Sequence, residues 1–202
     1  MFKFLSFGFL FLAMSAAARN HQPKPVISND QMTSEQVAIY RAVLENYTKG
    51  TEVSLNISSL TQPFRGNDEK ECLKGIELPP DAESKPVIHR LDPAVALGPK
   101  MVLVDPNQQN KVVKQNDPGN RIHDASGRGK PLSDKDIEDS VKQAFATALF
   151  TFSEIAFNQE HTRAAVQYSF YCGRLCANGG TLVLAKESGK WKIVSQCSSW
   201  IS

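Results

Sequence analysis

The last third of the chain leaves the least freedom. Four β-like runs, "TFSEIAF", "TRAAVQYSFY", "TLVLAKE" and "KWKIVSQCSSWI", follow one another with only "NQEH", "CGRLCANGG" and "SG" between them. Connections this short cannot carry parallel crossovers, so the runs must form an antiparallel meander. Ser188-Gly189 is a two-residue hairpin loop, which sets Glu187 opposite Lys190. Counting back from it places Ile193 opposite Leu184, Ser195 opposite Leu182 and Cys197 opposite Gly180. Side chains alternate along a strand, so Leu182, Leu184, Trp191 and Ile193 share a face. Val166, Tyr168 and Phe170 supply the matching apolar set on the preceding run. Setting Tyr168 beside Leu184 and Phe170 beside Leu182 makes one continuous apolar face, the expected core, and puts Cys172 beside Gly180.

That register bears on the cysteines. The chain has four: Cys72, Cys172, Cys176 and Cys197. In the register above, Cys172 and Cys197 flank Gly180 from opposite sides, about 9–10 Å apart across two strand spacings. A disulfide needs Cα atoms within about 7 Å. Two connectivities survive: Cys172–Cys176 with Cys72–Cys197, or Cys176–Cys197 with Cys72–Cys172. The first is preferred, because the Cys172–Cys176 loop is short and contains glycine.

The amino terminus explains why disulfides are expected at all. In "MFKFLSFGFLFLAMSAAARN" a single early cation, Lys3, precedes an apolar run from Phe4 to Met14. Ala16 and Ala18 then follow in an A-x-A arrangement. This is the pattern of a signal peptide over residues 1–18, with the mature chain starting near Arg19. Export to the periplasm or the medium places thiols where they oxidise, and an even cysteine count reads as a disulfide framework. The apolar run is too short to span a bilayer, so no membrane association is expected after cleavage.

Residues 19–32, polar and proline-bearing, read as a flexible lead-in. Residues 33–202 read as a single α+β domain. It opens with a helix, "TSEQVAIYRAVLENYTKG", capped by Thr33 with Gln36 at the capping-box position. "TEVSLNISSL", "KPVIHRL" and "KMVLVD" look like strands, and "MVLVDPNQQNKVVK" reads as two strands about a turn at Asp105, Pro106 and Asn107. An exposed loop is expected at about 115–131. A second helix, "SDKDIEDSVKQAFATALF", has Ser133 as N-cap, acidic residues in its first turn, and an apolar stripe of Ile137, Val141, Ala144, Phe145 and Ala148.

Chemistry is sparse. Net charge is +2, too small for a nucleic-acid footprint, and the lysines and arginines around the long loop lack interleaved aromatics. The four histidines, His21, His89, His123 and His161, show no zinc-ligand spacing. No phosphate loop, dinucleotide fingerprint or nucleophile elbow is present, so no cofactor is expected. The Cys172/Cys176 dithiol lies between strands, not at the helix N-terminus that activates redox thiols. Asn46-Tyr47-Thr48 and Asn56-Ile57-Ser58 match the glycosylation sequon.

The run "FSEIAFNQEHTRAAV", the cysteine-glycine hairpin, "GGTLVLAKESGKWKIV" and the terminal "WIS" resemble a loose group of uncharacterised exported bacterial proteins. The helix followed by a meander with "GKWKIV" is also similar to cystatin-like and NTF2-like α+β folds. Such folds wrap a curved sheet around a helix and can enclose a small-ligand pocket or present hairpins to a partner. The resemblance implies a fold and attaches no activity.

The expectation is an exported α+β protein with a mostly antiparallel sheet packed on one or two helices. It acts as a non-enzymatic binding or interaction module for an unidentified ligand or protein, with the Gln115–Lys130 loop as contact surface. The alternatives are a secreted enzyme with a pocket between helix and sheet, using His89, His123 or Tyr168 with a nearby carboxylate, or a thiol-redox protein using Cys172 and Cys176.

Overall fold

The computed structural model describes residues 24–50, 54–66, 71–78, 85–120 and 133–202. The signal-peptide segment, His123 and most of the anticipated loop therefore lie outside the described residues.

Three helices and nine strands are described: β1 (Val26–Ile27), α1 (Ser34–Tyr47), β2 (Leu55–Ser58), β3 (Val87–Ile88), β4 (Met101–Val104), α2 (Pro106–Gln115), α3 (Asp134–Thr147), β5 (Leu149–Phe152), β6 (Ala156–Phe157), β7 (Arg163–Gly173), β8 (Cys176–Glu187) and β9 (Lys190–Ile201). Seven strands make one mixed sheet in the order β4-β2-β5-β7-β8-β9, with β6 pairing β7 off this path. The fold is α+β, and β5, β7, β8 and β9 are the antiparallel meander. β4, β2 and β5 add a parallel flank. Two residues of the lead-in form β1, which pairs in parallel with β3.

Local chemistry sets the helices. Thr33 and Gln36 form the reciprocal capping box of α1. Ser133 and Asp136 do the same for α3. The expected hairpin at Asp105 is instead strand β4 followed by helix α2. Asp105 Oδ1 accepts from the Asn107 and Gln108 N–H groups, and Pro106 occupies the first helical turn. Asp-Pro suits a helix start as well as a turn, because the fixed φ of proline is already helical. The stripe on α3 also differs from expectation. Ser140, Ala144 and Ala148 are buried, whereas Ile137, Val141 and Phe145 are exposed. The small side chains form the closely packed face, and the Phe145 ring lies 5.7 Å from that of Phe170 between centroids.

In the sheet, Glu187↔Lys190 and Leu184↔Ile193 pair as the turn dictates. Beyond them β9 bulges twice, so Ser195 faces Val183, Leu182 faces Gln196, and Gly180 faces Ser199 in place of Cys197. On β7 the slip is larger. Tyr168 pairs with Gly180, Phe170 with Asn178 and Val166 with Leu182. Only Arg174 and Leu175 separate the two strands, so β8 begins at Cys176, earlier than its glycines suggest. A four-residue slip is even, which preserves every inward and outward assignment. Val166, Phe170, Leu182, Leu184 and Trp191 are accordingly buried core, with Tyr168 and Ile193 half-buried against it.

Candidate functional site: an open polar groove on the back of the sheet

Helix α1 fills one face of the sheet. Tyr40 packs on Phe152 at 4.7 Å between ring centroids and donates its hydroxyl to the Ser153 carbonyl at 2.9 Å. Tyr47 reaches Phe150, Tyr168 and Phe170. Burial pushes the Tyr40 phenol well up, with the Glu154 carboxylate adding to the effect, and burial also raises Tyr47 and Tyr168. The space between α1 and the sheet, where an enzyme pocket was anticipated, is occupied by these rings.

The opposite face divides in two. Ala165 and Val183 are apolar and lie under Phe64, Leu73, Ile76 and Ala156. Cys72 is bonded to Cys197 on β9, with Cα atoms 5.6 Å apart, which ties the covering segment to the sheet. Beyond that cover the same face turns polar. Register places Thr151, Ser169, Gly179 and Trp200 in one row across four strands, and Gln167, Thr181 and Ser198 in the next. These rows floor an open groove of about 440 Å³, and Gln62, Pro63 and Arg65 stand along it.

The groove is held by its own hydrogen bonds. The Gln167 amide accepts from Arg65 N–H at 3.0 Å and donates to the Arg65 carbonyl at 2.6 Å, fixing the wall. It also donates to Thr181 Oγ1 at 3.2 Å. The Gln62 N–H donates to the Phe152 carbonyl and its carbonyl accepts from Glu154, both at 2.7 Å, which anchors the wall to β5. Thr151 and Ser169 share a hydroxyl hydrogen bond of 2.7 Å. Trp200, 46 % exposed, lies over Gly179. A Cβ at position 179 would come within 2.7 Å of the indole, so only glycine lets the ring lie so close to the strand.

The cysteine hairpin builds something else. Cys172 is bonded to Cys176, with Cα atoms 5.1 Å apart. Both pairs are those preferred from sequence, although the geometric reason differs: Cys172 lies at the hairpin end and Cys197 at a β9 bulge. The turn inside the loop holds Arg174, whose Nε donates to Asp117 at 3.0 Å, as does its backbone N–H at 3.2 Å. Asp117 was expected in an exposed loop but is buried. Burial works against its charge. The N–H groups of Gly119 and Arg174 and the guanidinium outweigh that and hold its carboxyl below the usual range. Cys172 is only 1 % exposed, a poor position for an attacking thiol.

His89 does have a carboxylate beside it. Its Nδ1 lies 2.9 Å from Glu154 Oε2, while its backbone N–H donates to Glu154 Oε1 at 2.8 Å and Thr61 Oγ1 donates to that same oxygen. Both carboxylate oxygens are thus engaged in tying the β3 segment to the end of β5. Thr61 is committed to the same knot, which leaves it unsuited as a nucleophile. Of the sequons, Asn46 is exposed, whereas Asn56 donates its side-chain N–H to the Ala146 and Ala148 carbonyls. Among the described residues no three His, Cys, Asp or Glu side chains gather to hold a metal, and no helix is long and apolar enough to cross a membrane.

Fold and groove together define an α+β protein with one packed sheet face and one partly open polar face. No protein-family model, no curated protein and no solved structure matches the chain.

Proposed function

We propose that this is an exported, non-enzymatic binding module whose ligand occupies the back-face groove. The observation that carries the reading is the division of that face: its apolar half is covered and stapled, and its polar half is left open by the described residues. Binding sites are concave, largely preformed, and set a few polar groups around a small ligand. Export is supported by the N-terminal sequence pattern and by the paired cysteines, which suit an oxidising compartment. The groove takes over the role first assigned to the Gln115–Lys130 loop, since Asp117 and Asn120 at its start are engaged by Arg174.

The test is a thermal-shift screen of the mature protein against small polar compounds: sugars, amino acids, nucleosides, organic acids and phosphates. At least one compound raises the melting temperature of the wild type and leaves Ser198→Trp, which fills the groove, unmoved. A compound that stabilises both proteins equally binds elsewhere and removes the groove reading. A screen with no stabilising compound at millimolar concentration removes it as well.

A further inference from the structure

Resting on the groove reading, we infer that the ligand is a neutral saccharide, of mono- or disaccharide size, seated against the Trp200 indole. Three features of the groove select that chemistry over other small polar molecules.

The first is the aromatic platform. Trp200 lies over Gly179 and is about half exposed. A sugar ring has an apolar face of C–H bonds and a rim of hydroxyls. A partly exposed indole beside a polar floor offers an apolar body to the first and leaves the rim to the strand residues. The chain's other tryptophan, Trp191, is buried in the core under α1.

The second is the kind of polar group. Thr151, Ser169, Thr181 and Ser198 line the groove floor, and the Ser153 hydroxyl beside them is committed to the Glu154 carbonyl. A hydroxyl both donates and accepts, and rotates to suit. A row of them matches a ligand whose own groups are hydroxyls of the same dual character. The Gln167 amide, spent on Arg65 and Thr181, orients that row and is not itself the main recognition group.

The third is charge. Among the described residues no carboxylate lines the groove to pair an ammonium group. Arg65 is the one cation of the lining among the described residues. Phosphate recognition calls for several converging cations or a helix N-terminus, and the described residues bring neither to this site. A zwitterionic amino acid would lack a partner for its positive end. A volume of about 440 Å³ falls within the usual range for small-molecule sites.

The experiment titrates the full mature protein with maltose, cellobiose and N,N′-diacetylchitobiose, with glucose 6-phosphate and glutamine as comparators, following tryptophan fluorescence. A neutral disaccharide changes the emission of the exposed indole. Trp200→Ala weakens that binding, read by calorimetry, about tenfold or more, Trp200→Phe restores part of it, and Ser198→Trp abolishes it. Sugar binding that survives both Trp200→Ala and Ser198→Trp overturns the assignment. If glutamine or the phosphate binds in a Ser198→Trp-sensitive way and the sugars do not, the saccharide assignment fails while the groove reading stands. If no probe binds, the saccharide assignment fails, and the groove reading is decided by the wider screen.

Discussion

Removing the Cys72–Cys197 bond should cost far more stability than removing Cys172–Cys176, although the second is the more conspicuous pair in the sequence. The bonds close loops of very different length, with sequence separations of 125 and 4. Loop-closure entropy alone gives about 5 kcal/mol for the long loop and about 2 kcal/mol for the short one at 25 °C. The long bond also secures Leu73 and Ile76, buried against the back of the sheet. With a urea m-value of about 2 kcal/mol per molar, Cys72→Ala/Cys197→Ala should lower the unfolding midpoint by about 2.5 M, and Cys172→Ala/Cys176→Ala by about 1 M. Equilibrium urea unfolding, followed by circular dichroism on both double variants and on the wild type with and without reductant, reads this directly. Equal midpoints for the two variants, or a larger loss from the short loop, would refute the loop-closure argument.

Three further perturbations probe the supports around that frame. Gly173 has φ of 137°, and a Cβ there would stand 2.8 Å from Asp117 Oδ1, so Gly173→Ala should destabilise by about 1–3 kcal/mol in thermal unfolding. Because the Asp117 carboxyl is held below its ordinary value, its contribution is present above about pH 4 and lost as pH falls through the folded value. Wild type should therefore exceed Asp117→Asn in stability at neutral pH and converge on it in acid; a gap that stays constant down to about pH 2 would contradict the ion pair. Glu154→Ala strips His89 and Thr61 of their shared acceptor and should cost about 2–3 kcal/mol by urea unfolding, whereas a loss below about 0.5 kcal/mol would mean the knot is ornamental.

Particular residues show what was legible beforehand. The alternation of Val166, Tyr168 and Phe170 with Leu182 and Leu184 identified the core face, and identified it despite a wrong register, because an even slip moves no side chain across the sheet. The slip itself was hidden. The β7–β8 turn is confined to Arg174 and Leu175 and is gripped by Asp117, a residue far away in sequence. Local glycines at 179 and 180 suggested a longer loop, whereas Gly179 makes room for Trp200. Asp105-Pro106 was ambiguous by nature, since one dipeptide begins both turns and helices. On α3 the larger apolar residues drew attention, but small ones allow the close approach that decides which face is buried.

The groove was the least legible feature. Thr151, Ser169, Thr181 and Ser198 each read as an ordinary solvent-side position, and only pairing of four strands brings them into rows. Which half of that face stays open depends on where the Cys72 segment lies, a long-range fact set by its disulfide, by the packing of Leu73 and Ile76 and by the Glu77–Phe157 backbone hydrogen bond. Gln62 and Arg65 had no local signal at all; Arg65 is placed by the Gln167 amide and Gln62 by its backbone bonds to Phe152 and Glu154.

The most direct test of the groove as the binding site is a two-dimensional amide and indole NMR titration of the mature protein with the tightest-binding compound of the screen. The account predicts shifts at Gln167, Ser169, Thr181, Ser198 and the Trp200 indole, with the Trp191 indole still. Shifts concentrated instead at Tyr47, His89 or the exposed side of α3, with Trp200 unmoved, would contradict it.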